Sequence, residues 1–152
     1  IDNKYEDDVF FQKKIHEKVK NKKSCILIDK KCTLDEVLFL NKKFNFVITN
    51  RRHAINFASI NYKPAFAILT ENNNYKILPL LEKIYYDKSY TNLFDSSVDS
   101  CTRKIMNFYE DRNKISAHLK TIVPKIDEET KAHLTLIKEA VIKYGKSKKN
   151  NK

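Results

Sequence analysis

Apolar residues recur along this chain as short continuous runs separated by helical stripes, and their spacing predicts helix, strand, helix, strand, helix, strand, helix up to Ile84. From Asp7 to about Lys20, Phe11, Ile15 and Val19 fall four apart with lysines opposite, the pattern of a helix lying on a sheet. Cys25–Ile28 is a short apolar run bounded by polar residues, which predicts a strand covered on both faces. Thr33-Leu34-Asp35-Glu36 has the form of a capping box, and Val37, Leu38 and Leu40 supply the buried face of the helix it starts. Phe44–Thr49 predicts the next strand, Ala54, Phe57 and Ala58 the helix after it, and Ala65–Leu69 a third strand. The polar run Glu71–Asn74 reads as a loop, and Pro79 suits the first turn of a helix striped by Leu80, Leu81 and Ile84.

Alternation at this spacing predicts parallel strands joined by right-handed crossovers, an α/β fold with a Rossmann-like sheet flanked by helices. Beyond a turn-rich stretch from Tyr90 to Ser97, Val98, Cys101, Ile105 and Phe108, then Ile115, Leu119 and Ile122, mark a long helical region with a break near Asp111–Asn113. Pro124 is expected to interrupt it, and Leu134, Ile137 and Val141 mark a final helix. Residues 1–144 are read as one domain, followed by a disordered basic tail over 145–152. A domain of this kind usually begins with a strand, whereas this chain begins with a helix and has Met106 as its sole methionine. The expectation is a piece of a longer protein, with at least one strand upstream of Ile1.

Composition narrows the field. At 152 residues and 41% apolar, the chain is about one domain long and can pack a single core. Its net charge of +11 would suit nucleic acid or an anionic membrane face, but the excess is spread over Lys-Lys and Asn-Lys pairs on every predicted surface. That diffuseness disfavours nucleic acid and leaves peripheral membrane contact open. Cys25, Cys32 and Cys101 form no CxxC pair and have no histidine at metal spacing, so reduced thiols in a cytoplasmic protein are expected. No apolar run approaches the ~20 residues a membrane helix needs, and no signal-peptide pattern is visible.

The chemistry concentrates in the turn Asn50-Arg51-Arg52-His53, which leaves the predicted strand Phe44–Thr49 and enters a helix. In a parallel α/β sheet that edge is where ligands sit, because helix N-termini and free amides converge there. Arginine offers a planar fork of donors for carboxylate or phosphate, and histidine donates a proton near neutrality. Residue chemistry alone therefore suggests a phosphorylated acid turned over with proton donation; the alternative is two solvated arginines and a histidine at a helix start. Lys76 is either a further anion contact or a solvated lysine. Tyr85, Tyr86 and Tyr90 fit a cleft rim or the core equally well, and His16, His118 and His133 read as surface residues.

The stretch from Ile28 to Leu69 resembles the polysaccharide pyruvyl transferases. The family's strand, Arg-Leu-His-Ala motif, Phe-Ala pair and proline-led strand correspond here to Phe46–Thr49, Arg51-Arg52-His53-Ala54, Phe57-Ala58 and Pro64 with Ala67-Ile68. Its downstream lysine before a Leu-Leu-Glu helix is matched by Lys76 and Leu80-Leu81-Glu82, and NFYEDRNKISAHL is similar to its helical C-terminus. Two positions depart: the motif leucine is Arg52, and the usual glycine two residues before the proline is Tyr62.

The resemblance implies the C-terminal half of a two-domain fold of the GT-B type. It implies a transferase that moves a pyruvyl group from phosphoenolpyruvate to a sugar of a cell-surface polysaccharide as a ketal. His53 would be the general acid, Arg51 and Lys76 would bind the donor, and no metal or other cofactor is required; Arg52 stands where the family contributes backbone, and donor binding by its side chain is inferred from its own chemistry. Partners would be phosphoenolpyruvate, a glycan acceptor and a missing N-terminal domain of the same protein, in the cytoplasm or at the inner membrane face. A GT-B nucleotide-sugar glycosyltransferase, with the arginines on a diphosphate, or a non-catalytic basic module binding nucleic acid or a membrane surface, are the competing readings.

Overall fold

The computed structural model describes residues 8–84, 88–94 and 96–149. In chain order these form α1 (Asp8–Lys18), α2 (Leu34–Lys43), β1 (Val47–Thr49), α3 (Arg52–Ile60), β2 (Ala65–Leu69), α4 (Asn74–Ile84), β3 (Tyr90–Asn92), α5 (Val98–Glu110) and α6 (Arg112–Lys149). The chain divides into two compact units, Ile1–Val37 and Leu38–Lys152.

In the first unit no described residue is buried. The apolar stripe predicted for α1 is not covered: Phe11 is 48% and Ile15 66% exposed. Cys25–Ile28 forms no strand, because an apolar run becomes one only where a neighbour supplies ladder hydrogen bonds, and no described segment pairs with it. Ile26, at 88% exposure, shows how little covers this run. The capping box forms as its spacing predicts. Glu36 accepts from the Thr33 amide at 2.8 Å, Thr33 Oγ1 accepts from the Glu36 amide at 3.3 Å, and Lys30 Nζ meets Glu36 Oε1 at 2.8 Å.

The second unit is α/β, with a small open sheet of three parallel strands in the order β1-β2-β3. β2 is central because its five residues are the one continuous apolar run flanked on both sides by paired chain; Ala65, Phe66, Ala67 and Leu69 are buried. Ile55 and Ala58 of α3, Ile77, Leu81 and Ile84 of α4, Phe108 of α5, and Ile115 and Leu119 of α6 complete the core. Phe108 joins the layers: its ring lies 5.4 Å from Phe66 and 5.7 Å from Phe46. Burying an aromatic or leucine side chain of this kind stabilises by about 1.5–3 kcal/mol.

Several expectations are corrected. β1 is three residues long rather than beginning at Phe44, since the chain opposite Phe44–Phe46 is still turning into β2 at Tyr62–Pro64. β3 lies in what reads as a turn-rich stretch; its register with β2 is Ala67↔Tyr90, Ile68↔Thr91, Leu69↔Asn92. Pro79 lies inside α4, which starts at Asn74, and Pro124 lies inside α6 without interrupting it. Both prolines are exposed, a setting in which the hydrogen bond each removes can be made to water instead. The break between α5 and α6 falls at Asp111, inside the predicted interval. α6 is helical to Lys149; residues 150–152 of the predicted tail lie outside the described residues.

α3 ends in a Schellman motif. The Lys63 amide donates to the Ala58 carbonyl at 2.9 Å and the Tyr62 amide to the Ser59 carbonyl at 2.8 Å, which requires Tyr62 to be left-handed, at φ 57°. This is the position where the resembled family carries glycine. The Tyr62 carbonyl accepts from Ser116 Oγ at 2.8 Å, tying the end of α3 to the start of α6.

The three strands do not end level. β1 pairs with Ala65–Ala67 and β3 with Ala67–Leu69, so β2 and β3 project two residues past β1 toward their carboxyl ends. At about 3.3 Å per residue that step is roughly 6–7 Å deep.

Candidate functional site

The Arg51–His53 run occupies the turn from the carboxyl end of β1 into α3, the place its sequence context predicts. Arg51 is the residue before the helix, extended at φ −109° and ψ 124°, and its amide donates to Thr49 Oγ1 at 3.0 Å. Its carbonyl accepts from the amides of Ala54 and Ile55 at 3.1 and 3.3 Å, which closes the first turn. A guanidinium has no acceptor, so the residue that starts α3 cannot cap it as serine or aspartate would, and no side-chain cap bond forms. The first-turn amides of Arg52 and His53 therefore receive no cap from the Arg51 side chain, and the start of a helix is where backbone amides can take an anion. Arg51, Arg52 and His53 are all exposed.

Because β1 stops two residues short of β2, this turn lies at the foot of a step whose wall is the β2–α4 turn, residues 70–73. One side chain spans the step. Asn73 Nδ2 donates to the Asn50 carbonyl at 3.1 Å, while Asn73 Oδ1 accepts from the Thr70 amide at 2.7 Å. The Asn73 carbonyl also receives the Lys76 and Ile77 amides, each at 3.1 Å, and so starts α4. Sequence reading places a loop here but misses Asn73; its signal was an asparagine immediately before a helix.

Lys76 is exposed on the first turn of α4, at the same carboxyl edge, with its ammonium 5.1 Å from the centre of the Tyr75 ring. The structure thus brings Arg51, Arg52, His53 and Lys76 onto neighbouring turns of one sheet edge. Tyr90 is half-buried against the core, whereas Tyr85 and Tyr86 lie outside the described residues. His16 and His118 are half-buried and His133 is exposed, and none of the three lies on these turns. In the middle of β3, Thr91 Oγ1 is 3.2 Å from Ser96 Oγ and 3.4 Å from Cys101 Sγ, so Cys101, a free thiol like Cys25 and Cys32, serves a buried hydroxyl there.

A hollow of about 260 Å³ lined by Asn45, Lys63, Pro64, Arg112, Asn113 and Ser116 lies at the amino edge of the sheet, opposite the arginine turn. Of its lining, Arg112 donates to the Tyr109 carbonyl at 2.9 Å and stacks 4.2 Å from that ring, and Ser116 donates to the Tyr62 carbonyl. Among the described residues no cluster of His, Cys, Asp and Glu could hold a metal ion, and no helix is long and apolar enough to cross a membrane. No protein-family model, curated protein or solved structure matches the chain.

Proposed function

We propose that the chain is the donor-binding half of a GT-B-type transferase that moves a pyruvyl group from phosphoenolpyruvate to two hydroxyls of a glycan, forming a cyclic ketal and releasing phosphate. The observation that carries this reading is the Arg51-Arg52-His53 run at the carboxyl end of a parallel strand, on a helix start whose amides no cap side chain satisfies. A dianionic donor suits that combination of fork-shaped cations and helix-end amides, and a proton donor stands beside it. The Arg-x-His-Ala likeness supplies the identity of the donor.

In this reading Arg51 holds the carboxylate or phosphate of the donor, and Lys76 contributes charge from the next turn. Arg52 adds its backbone amide and a further cation. His53 protonates the methylene carbon, and the central carbon becomes oxocarbenium-like. One sugar hydroxyl adds to that carbon and gives up its proton; phosphate leaves with the C–O bonding pair; the second hydroxyl closes the ring and gives up its own. Of the two hydroxyl protons, one replaces the proton His53 gave to carbon and the other leaves with phosphate. The acceptor is held by a preceding domain of the same protein, and the reaction belongs to the cytoplasm or the inner membrane face.

The test is phosphate release from phosphoenolpyruvate by the full-length protein over a panel of glycans, with wild type and His53→Gln compared. Removing a general acid is expected to cost roughly 10²- to 10⁴-fold in turnover. Absence of His53-dependent turnover with every acceptor overturns the reading.

A further inference from the structure

We infer that Asn73 is a positioning residue that sets the donor site by latching the β2–α4 turn onto the β1–α3 turn. The inference rests on the transferase reading for its functional half and on geometry alone for its structural half. Asn73 makes side-chain hydrogen bonds on both turns: its amide nitrogen donates to the Asn50 carbonyl, one residue before Arg51, across 23 positions of sequence. Its amide oxygen is held in place by the Thr70 amide, so the donor is aimed by its own turn rather than by chance. Its carbonyl starts α4 and thereby fixes Lys76 three residues on.

Consequently one residue couples the carrier of Arg51 and His53 to the carrier of Lys76. The coupling is needed because β2 overshoots β1 by two residues. β1 pairs with β2 as far as Thr49 and Ala67, so the arginine turn lies past the paired residues, and the Asn73 side chain makes a bond between the turns there. Asparagine is the short side chain that can accept from one turn while donating to the other. Leucine would satisfy neither group, and aspartate only the first.

Asn73→Ala and Asn73→Asp in the full-length protein separate these roles. Amide hydrogen exchange is expected to quicken over residues 49–53 in both variants, because both lose the bond to the Asn50 carbonyl. Exchange at Thr70 is expected to quicken only in Asn73→Ala, since aspartate keeps the acceptor. Unchanged exchange over 49–53 in both variants overturns the latch. In the kinetic arm, Asn73→Ala is expected to raise KM for phosphoenolpyruvate much more than it lowers kcat, by up to about a hundredfold in kcat/KM. Its effect should shrink when Lys76→Ala is already present, to the part that acts through the arginine turn. A loosened turn with unchanged KM overturns the positioning role. A loosened turn in a protein that never turns over phosphoenolpyruvate refutes the transferase reading and leaves the latch standing.

Discussion

Tyr62 is a left-handed residue in a helix-ending motif that ordinarily carries glycine, and its replacement separates two opposing free energies. Left-handed backbone costs a residue with a Cβ about 1–2 kcal/mol, which glycine does not incur. Glycine gives back roughly 0.4–1 kcal/mol through the greater freedom of its unfolded chain. Tyr62 is also half-buried against the core, so truncating it to either small residue loses roughly 1–2 kcal/mol of apolar burial. Tyr62→Ala therefore loses packing and keeps the strain, whereas Tyr62→Gly loses packing and sheds the strain. The glycine variant should be close to wild type and more stable than the alanine variant by about 1 kcal/mol. In urea unfolding followed by far-ultraviolet circular dichroism, that difference is about half a molar in midpoint. An alanine variant equal to or more stable than the glycine variant would refute the assignment of strain to this residue.

Phe108→Ala removes the ring between Phe66 and Phe46 and is expected to cost about 3–5 kcal/mol, read as a lowered urea midpoint. Ser116→Ala strands the Tyr62 carbonyl and is expected to cost about 1 kcal/mol, without the larger loss that a core cavity brings. The Glu36 carboxyl is held below its usual value of 4.5, first by its hydrogen bond to Lys30 and then by the Thr33 amide. A depressed carboxylate contributes stability above its unfolded pKa and loses it as pH falls through the folded one, so the start of α2 should fray only below about pH 4.5. Exchange of the Thr33 amide measures this, and Glu36→Gln should flatten its acid dependence. Arg51→Lys keeps the charge but not the fork, and is expected to weaken phosphoenolpyruvate binding roughly tenfold in equilibrium titration.

The sequence shows β2 to the residue, because a five-residue apolar run buried on both faces leaves few alternatives. Cys25–Ile28 carries the same signature and forms no ladder, which no local pattern reveals, since pairing depends on a neighbour. β3 fails in the opposite sense: Tyr90-Thr91-Asn92 looks like a turn, and Thr91 can be buried because Ser96 and Cys101 come to meet its hydroxyl. The site divides along the same line. Strand, polar turn and helix are consecutive in sequence, so the place of Arg51, Arg52 and His53 is legible. Asn73 is not, because its partner is set by how far β2 slides past β1. The departure at Tyr62 is visible from the family likeness, but its meaning is a backbone angle.

The pairing of Val47 with Ala65 fixes more than which side chains face the core. A strand can slip only in steps of two without turning its apolar face to water. Sliding β1 two residues toward the carboxyl edge would keep every buried position on its own side and bring the strand ends level. The arginine turn would then stand flush with the β2–α4 turn, with its carbonyl beyond the reach of Asn73. The same slide would carry Phe46 roughly 6–7 Å from its contact with Phe108, so the packing that holds the register of a three-residue strand also sets the depth of the site.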